Sequence, residues 1–549
     1  MLDWKYDFIH GACSGQVWQT DAPGRCTPGA GLDSALGRYP PRAYFPCILY
    51  IDRRLFMKLN ELSPSEVFSY FEKICSIPHG SGNTRMIADY CLEFAKLHGL
   101  KARKDTSDNV VIFKAGSSGY EDCEPVILQG HLDMVCEKEP DCDIDMSVQS
   151  IKACTDGKMV WADGTTLGAD DGIAVAFILA VLASDTIAHP PIQAVLTSDE
   201  EIGMLGARDL DTSDLTAKRL INIDSESEGI LYVSCAGGVR AECDIPVAYE
   251  DAAGWVADGA IDVQNGSVCF EVKISGLAGG HSGVEIHKQH TNAIRLLASL
   301  LSHASGAADF RLVSLSGGGK ENAIPKEAKA VVSVRSCDAT TFEQSIKESE
   351  AVWMQEIRAT EPHAKIEVEK TDAAADKVLN SHSTANVIYA LWLSPDGVYK
   401  MSQEIKGMVQ TSLNLGTAYL DADKLVYKYL IRSNTAAGKK LLLERVTTFV
   451  KHLSGKVVTM SDYPAWEYKS DSQLRRICVE SFTNVYGHEP EVTSIHAGLE
   501  CGILAGKMPG VDMISFGPTL ESVHTPDECM NVASVERTWE YLLEILKSL

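Results

Sequence analysis

The sequence predicts an α/β fold, in which a mixed sheet is flanked by helices and an α+β domain is inserted between two parts of the chain that build the sheet. Apolar runs of strand length recur at residues 125–128, 192–196, 219–223 and 511–516, and each leads into a polar segment. An apolar helical pattern covers residues 173–182. The chain has 549 residues, more than one hydrophobic core usually supports, so we expect two domains.

The first 56 residues differ in composition from the rest of the chain. They are rich in Gly, Pro and Arg and have no sustained periodicity. A typical helix start, Ser63-Pro64-Ser65-Glu66, then begins an amphipathic pattern that runs to Cys75. We expect the functional protein to start at Met57 and residues 1–56 to be a disordered or mis-assigned leader.

Acidic residues or histidines stand near the ends of the predicted strands and at the start of the apolar helix. The segments are Gly130-His131-Leu132-Asp133, Gly168-Ala169-Asp170-Asp171-Gly172, Thr197-Ser198-Asp199-Glu200-Glu201, Asn222-Ile223-Asp224 and His524-Thr525-Pro526-Asp527-Glu528. In an open α/β sheet, the ligand crevice lies beyond the carboxyl ends of the strands. These segments are therefore expected to converge on one rim of the sheet.

The side chains in these segments are those of a two-metal hydrolase site. The imidazole of His131 suits zinc, and Asp133, two residues later, is better placed to orient that ring than to compete with it. Asp170 precedes the apolar helix, where a carboxylate is favoured and could bridge two cations. Of the adjacent Glu200 and Glu201, one can bind metal while the other takes a proton from water.

A structural interpretation competes with this hypothesis at each position. A single acidic residue after a strand is usually a helix cap or a solvated residue, and a single histidine is more often a surface or core residue than a ligand. Taken alone, Asp170, Asp224 and His524 therefore favour a structural role. Together, however, the groups would repel one another without a cation between them. The combined pattern therefore favours metal binding.

The same segments resemble the di-zinc metallopeptidases of the aminoacylase and carboxypeptidase clan, and among them the carnosinase-like aminoacyl-histidine dipeptidases. The resemblance runs from about Met57 to the C-terminus. Besides the segments above, it includes Ile77-Pro78-His79-Gly80-Ser81-Gly82, Gly279-Gly280-His281-Ser282-Gly283 and His496-Ala497-Gly498-Leu499-Glu500-Cys501-Gly502.

The resemblance implies a role for each matching residue. Asp170 would bridge two metal ions, one of which is also bound by His131 and Asp224, and the other by Glu201 and His524. The implied catalytic residues are Glu200 as general base, Asp133 behind His131, and His281 as a lid residue that stabilises the oxyanion; Asn322, Arg432 and Gly498 would hold the carboxylate end of the substrate. The chain departs from the pattern at Asp171, where a neutral residue is expected.

The resemblance also implies a phosphorylase/hydrolase-like catalytic domain made of residues 57–238 and 457–549, with a lid domain of ferredoxin-like units at 239–456. Two similar stretches, Ser333-Val334-Arg335-Ser336 and Leu430-Ile431-Arg432-Ser433, each precede a helical pattern and suggest a weak internal duplication of the lid unit. A chance match between such short stretches is the alternative.

The implied activity is hydrolysis of dipeptides, in particular Xaa-His dipeptides including β-Ala-His, with two divalent cations, zinc or else manganese or cobalt. An N-acyl amino acid deacylase, a small-peptide exopeptidase and a catalytically silent binding protein are the alternatives. Gly317-Gly318-Gly319-Lys320 lacks the spacing of a phosphate loop, and Gly279-Gly280-His281-Ser282-Gly283 is not a serine-hydrolase elbow.

Charge and cysteine content narrow the possible partners and the cellular compartment. The net charge of -25 argues against nucleic acid and anionic membranes as partners. Sixteen cysteines without CxxC pairs fit a reduced, cytoplasmic chain, and no apolar run reaches membrane-spanning length. The expected ligand is a small peptide, and the sequence leaves open whether the chain forms a homodimer.

Overall fold

The structure is a computed structural model that describes residues 58–257, 266–372 and 375–549. The predicted leader, residues 1–56, lies outside this part of the chain. Within it, two large sheets carry most of the strands. Strands and helices are numbered below in order along the chain.

The first sheet has eight strands. They are β1 (Lys101–Lys104), β2 (Val110–Lys114), β3 (Val126–His131), β6 (Ile192–Thr197), β7 (Arg219–Asn222), β8 (Ile230–Cys235), β20 (Glu491–Ile495) and β21 (Asp512–Ser515). Their order is β1-β2-β6-β3-β7-β21-β8-β20. The central strands β6, β3, β7 and β21 run parallel, whereas β1, β2 and β8 pair antiparallel to a neighbour, so the sheet is mixed as predicted.

Helices cover this sheet and build its core. The helices of the chain are α1 (Ser65–Cys75), α2 (Arg85–Leu97), α3 (Ala169–Ala183), α4 (Leu205–Asp209), α5 (Ala252–Ala257), α6 (Ala293–Ser305), α7 (Ala339–Ile357), α8 (Ser381–Leu393), α9 (Ala436–His452), α10 (Gln473–Tyr486), α11 (Glu500–Lys507) and α12 (Val532–Ser548), with short 3-10 turns at Leu59–Glu61 and Ile286–Lys288. Apolar residues of α1, α2, α3, α10 and α12 pack in one cluster with those of the sheet. Helix α3 is apolar on every face because it lies inside this cluster.

The second sheet has nine strands. They are β9 (Gly237–Pro246), β11 (Ser267–Ser275), β12 (Phe310–Gly318), β13 (Ala328–Arg335), β14 (Lys365–Thr371), β16 (Gly397–Met401), β17 (Val409–Leu420), β18 (Lys424–Ser433) and β19 (Lys456–Tyr463). The order is β14-β11-β13-β12-β17-β18-β9-β19, with β16 paired to β17. Helices α6, α7, α8 and α9 contribute to its core.

The order of the second sheet is mirrored about the β12–β17 pair. On one side β13 leads through α7 to the edge strand β14, and on the other β18 leads through α9 to the edge strand β19. Arg335 ends β13, and Arg432 lies one residue before the end of β18. This arrangement agrees with the internal duplication that the two short similar stretches suggest.

Smaller strands complete the fold. A four-stranded sheet has the order β22 (Leu520–Glu521), β23 (Cys529–Asn531), β5 (Met159–Ala162) and β4 (Ala153–Thr155), and β10 (Tyr249–Asp251) pairs with β15 (Lys377–Leu379). The β22–β23 turn carries His524 and is fixed next to the segment that precedes α3. Within the described ranges, no helix is both long and apolar enough to cross a membrane.

The α/β class with a mixed sheet flanked by helices is confirmed, as is the inserted α+β part. The second sheet includes β19, which pairs antiparallel with β9 and ends at Tyr463. Residue 457, the expected boundary, therefore falls inside an edge strand. The chain adds this strand after α9 before it returns to the first sheet.

Candidate active site

Three parallel strands bring the predicted residues to one edge of the first sheet. Strand β3 ends at His131, β6 ends three residues before Glu200, and β7 ends two residues before Asp224. In the register of these strands His131 lies opposite Thr197. The start of α3 and the β22–β23 turn approach the same edge and add Asp170 and His524.

Asp170 stands between two histidines. Its Oδ1 lies 3.2 Å from Nε2 of His131, and its Oδ2 lies 3.1 Å from Nε2 of His524. Asp224 Oδ1 is 3.8 Å from the first imidazole nitrogen, and Glu201 Oε1 is 2.8 Å from the second. In each of the groups His131/Asp170/Asp224 and Asp170/Glu201/His524, the candidate ligand atoms lie within 4.8 Å of one another. The structure thus brings together the side chains of the two predicted ligand sets, with Asp170 common to both groups.

The chemistry of these two groups fits divalent cations. Nδ1 of His131 lies 3.0 Å from the main-chain oxygen of Asp133, so a neutral ring directs the lone pair of Nε2 towards carboxylate oxygens. Hydrogen bonds to Asp170 and Glu201 raise the pKa of His524 to about 10, because these carboxylates favour a positive charge between them. Imidazole nitrogens and carboxylate oxygens are ligands that zinc accepts.

Asp133 orients His131 mainly through its main chain. Its carboxylate is 3.5 Å from the Nδ1 of His131. The same carboxylate accepts hydrogen bonds from the N–H groups of Glu200, at 2.9 Å, and Glu201, at 3.3 Å, and from the hydroxyl of Ser81, at 2.8 Å. It therefore fixes the turn that carries the two glutamates as well as supporting the histidine.

Glu200 is partly buried beside the candidate ligands and among other carboxylates. Burial raises the pKa of its carboxyl to about 8, and the charges of Glu500 and Glu201 add to this rise while His131 opposes it. Its carboxylate lies within reach of His131 and Glu201. A base whose pKa is near the working pH is effective in transferring protons.

At Asp171, where the resemblance predicts a neutral residue, the side chain is buried and Oδ2 accepts a hydrogen bond from the N–H of His131 at 3.0 Å. Burial raises the pKa of this carboxyl well above its usual range.

The second sheet contributes His281 and Arg432, which lie next to each other. A Cβ atom added to Gly283 would lie 3.0 Å from Cε1 of His281 and 3.2 Å from Nε of Arg432. Nδ1 of His281 accepts hydrogen bonds from the N–H groups of Gly283 and Val284, so the neutral ring carries its proton on Nε2. Burial and the charge of Arg432 lower the pKa of His281 and favour this neutral form.

Arg432 contacts Tyr463, the last residue of β19, and Tyr463 in turn lies against Gly498, which follows β20 of the first sheet. Nη1 of Arg432 donates a hydrogen bond to the Tyr463 hydroxyl at 3.0 Å, and the Nε of Arg432 is buried with no partner in the described ranges. A Cβ on Gly498 would lie 2.9 Å from the Tyr463 ring and 3.3 Å from the side chain of Met204, four residues after Glu200. The structure thus brings Arg432 and Gly498 together, whereas Asn322 has an exposed side chain and meets the His281 loop through its main-chain oxygen.

Two glutamates at this site have no role in the sequence-based predictions. Both oxygens of Glu528 accept hydrogen bonds from the N–H groups of residues 167–169, at 2.8 to 3.0 Å. Glu500 is fully buried beneath the strand ends. Both stand in the segments that carry the family resemblance, but their partners are more than 300 residues away along the chain.

Glu528 holds the backbone turn that positions Asp170. We expect Glu528→Gln to lower the free energy of unfolding by about 1–3 kcal/mol, because an amide N–H₂ would face backbone donors that now meet a carboxylate. Urea unfolding of the metal-free protein measures this change. The exposed neighbour Asp527, changed to Asn, is the matched control; equal stability of the two variants would contradict the assigned role.

Known proteins are similar to this chain over most of its length. The family model described as Peptidase family M20/M25/M40 matches residues 127–548. The cytosol non-specific dipeptidase of Escherichia coli (strain K12) is 36% identical over 493 residues, which cover 90% of this chain and 99% of that protein. 

Solved structures have the same fold. The crystal structure of aminoacylhistidine dipeptidase from Vibrio alginolyticus matches with a TM-score of 0.83 and 35% identity, covering 90% of this chain and 98% of that one. Aminopeptidase PepT from Bacillus cereus, at 14% identity and a TM-score of 0.50, covers 89% of this chain and 99% of that one and is similar in fold alone. The family match spans more than half of the chain, and the chain therefore belongs to peptidase family M20/M25/M40.

Proposed function

We propose that the chain is a cytoplasmic metallo-dipeptidase that hydrolyses Xaa-His dipeptides, including β-Ala-His, and tolerates other dipeptides. The observation that carries the proposal is the pair of ligand sets sharing Asp170, with Glu200 beside them. The names of the Escherichia coli and Vibrio alginolyticus relatives support dipeptides as the substrate class. Buried cysteine thiols, such as Cys75 and Cys478, fit a reducing compartment.

Two parts of the molecule would divide the work. We assign catalysis to residues 57–238 and 464–549, which carry the ligand sets, and substrate capture to the lid at 239–463, which carries His281 and Arg432.

The ligand sets would hold two divalent cations, zinc in the first place and manganese or cobalt as alternatives. His131, Asp170 and Asp224 form one set, and Asp170, Glu201 and His524 the other. When bound, such cations lower the pKa of water and polarise a carbonyl oxygen. Asp133 keeps the His131 ring in its ligating orientation through the contact with Nδ1.

Glu200 and His281 would carry the proton and charge transfers. Glu200 takes a proton from the attacking water while the oxygen of that water bonds to the carbonyl carbon of the peptide. The same carboxyl then gives that proton to the amine nitrogen as the C–N bond breaks. The N–H at Nε2 of His281 donates a hydrogen bond to the carbonyl oxygen as negative charge develops on it, which is worth about 3 kcal/mol in comparable sites.

Arg432 would select substrates with a free carboxylate at the end of a short peptide. Its guanidinium group is buried, and its Nε has no partner in the described part of the chain. A guanidinium binds a carboxylate through paired hydrogen bonds. A side chain at Gly498 would press on Tyr463, which accepts the hydrogen bond from Arg432, and Asn322 meets the adjoining loop through its main-chain oxygen.

The carboxylate role of Arg432 predicts a selective defect. We expect Arg432→Lys to lower kcat/KM for Ala-His by about 10–100-fold, because a bidentate charged contact is lost. Hydrolysis of Ala-His amide, which has no carboxylate, should change little. Arg335→Lys, at a corresponding strand end in the other half of the second sheet, is the control; an equal loss on both substrates would contradict the assignment.

Steady-state hydrolysis by metal-loaded protein tests the proposed function. The substrates are β-Ala-His, a panel of Xaa-His and other dipeptides, and N-acetyl amino acids. Cleavage of the dipeptides supports the proposal. Cleavage of the acetylated compounds alone would identify a deacylase, and cleavage of none would favour a binding protein.

A further inference from the structure

A chain of buried hydrogen bonds lies directly beneath the proposed metal ligands. The amide nitrogen of Asn222 donates to the Oε1 of Gln129 at 2.6 Å, and the amide nitrogen of Gln129 donates to the Oε2 of Glu500 at 2.6 Å. The Thr197 hydroxyl donates to the same Glu500 oxygen at 2.5 Å. Of these residues, Asn222, Gln129, Thr197 and Glu500 are each 0% exposed.

Each strand residue in this network stands just before a residue of the proposed site. Gln129 precedes His131 by two positions and Asn222 precedes Asp224 by two, so the members of each pair share a direction along extended backbone. Thr197 is the register partner of His131. The carboxylate of Glu500 therefore joins the two strands β3 and β6 at the layer below the metal rim.

Glu500 belongs to a short segment that is held at both ends. At its other end, His496 accepts a hydrogen bond at Nε2 from the Ser412 hydroxyl at 2.7 Å and donates from Nδ1 to Asn434 at 3.0 Å. Ser412 lies in β17, and Asn434 directly follows β18, both in the second sheet. Gly498, which contacts Tyr463 beside Arg432, lies midway between the two anchors.

Glu500 has few other contacts to hold it. Its Oε1 is buried and has no hydrogen-bond partner in the described part of the chain, and no lysine or arginine of that part forms an ion pair with it. Burying a carboxylate without a cationic partner is costly, so its few hydrogen bonds hold it in place. The hydrogen bonds from Gln129 and Thr197 therefore hold this end of the segment 496–500.

We propose that Glu500 is a positioning residue that fixes the segment 496–500 against the strands that carry the proposed metal ligands. This contact sets the distance from Arg432 to those ligands. That distance selects peptides of two residues. The inference rests on the proposed function. A dipeptide has one spacing between its carboxylate and its scissile carbonyl, and a tripeptide cleaved at its first bond has a longer one. Loosening the segment should therefore reduce dipeptide hydrolysis and weaken discrimination against tripeptides.

The test compares Ala-His with Ala-His-Gly as substrates of metal-loaded wild-type protein and four variants. Glu500→Leu should lower kcat/KM for Ala-His by about 10–100-fold and reduce the preference for the dipeptide, because a supporting contact of the site is lost. Glu500→Gln keeps an acceptor oxygen and should stay within about threefold of wild type. Thr197→Val removes one donor at nearly constant volume and should shift both quantities in the same direction as Glu500→Leu. The exposed Glu540, changed to Gln, is the control.

An unchanged preference for the dipeptide in Glu500→Leu would overturn the proposal, even if activity fell, since a general loss of stability lowers both rates together. If Glu500→Leu does not fold, as judged by thermal unfolding, Thr197→Val decides in the same way. Wild-type protein that cleaves neither peptide would overturn the proposed function, and the inference with it. Normal dipeptide cleavage with an indifferent Glu500 would overturn the inference alone.

Discussion

Glu200→Gln is expected to lower kcat for Ala-His by about 10²–10⁴-fold, the contribution of a positioned general base. The amide cannot accept the proton of the attacking water, while the turn that carries it stays fixed by the contact of its N–H with Asp133. KM and bound metal should therefore remain close to those of the wild type. Steady-state kinetics and elemental analysis of the purified variant measure the two effects.

Glu139→Gln is a matched control, because Glu139 is an exposed glutamate in the loop after β3. It should retain full activity. If Glu200→Gln loses metal together with activity, Glu200 is a ligand rather than the base. If it keeps activity, another group accepts the proton.

Asp170→Asn is expected to lose both cations, because each oxygen of this carboxylate belongs to a different ligand set. Asp224→Asn and His524→Ala should each weaken one site and leave the other filled. The activity of Asp170→Asn should fall by at least about 10²-fold, since metal ions supply several kcal/mol of charge stabilisation. Metal-to-protein ratios after dialysis distinguish these three variants.

Asp163→Asn serves as the control, because Asp163 lies in the turn before Asp170 and pairs with Lys152 at the surface. Its metal content should match that of the wild type. Retention of one cation by Asp170→Asn, or of both, would show that the carboxylate does not bridge the sites.

The rim of the site could be predicted because it depends on strand ends. Parallel strands that begin and end together bring their last residues to one edge, so apolar runs followed by His131 or Asp224 place these groups without further information. The share of Asp133 in fixing the Glu200 turn was only partly foreseen. The spacing in the sequence placed Asp133 behind His131. It did not show that Asp133 also accepts hydrogen bonds from N–H groups of the loop after β6.

Contacts between distant segments could not be predicted from spacing. Glu528 and Glu500 act on backbone and side chains that local patterns do not associate with them. The pairing of the edge strand β19 with β9 could not be predicted, because six of the eight residues of β19 are exposed and it has no apolar run that marks it as paired. The mirrored second sheet was foreseen only from two four-residue stretches that precede α7 and α9.

The contact between Asp170 and His524 has a consequence for how the enzyme is made. The two residues are separated by 354 positions, and the whole second sheet is synthesised between them. Contacts over such separations slow folding, because a long loop must close before they form. In the proposed site, a nascent chain that ends after Asp224 and before His524 would have one complete ligand set, so we expect peptide hydrolysis to begin only once the distant turn has docked.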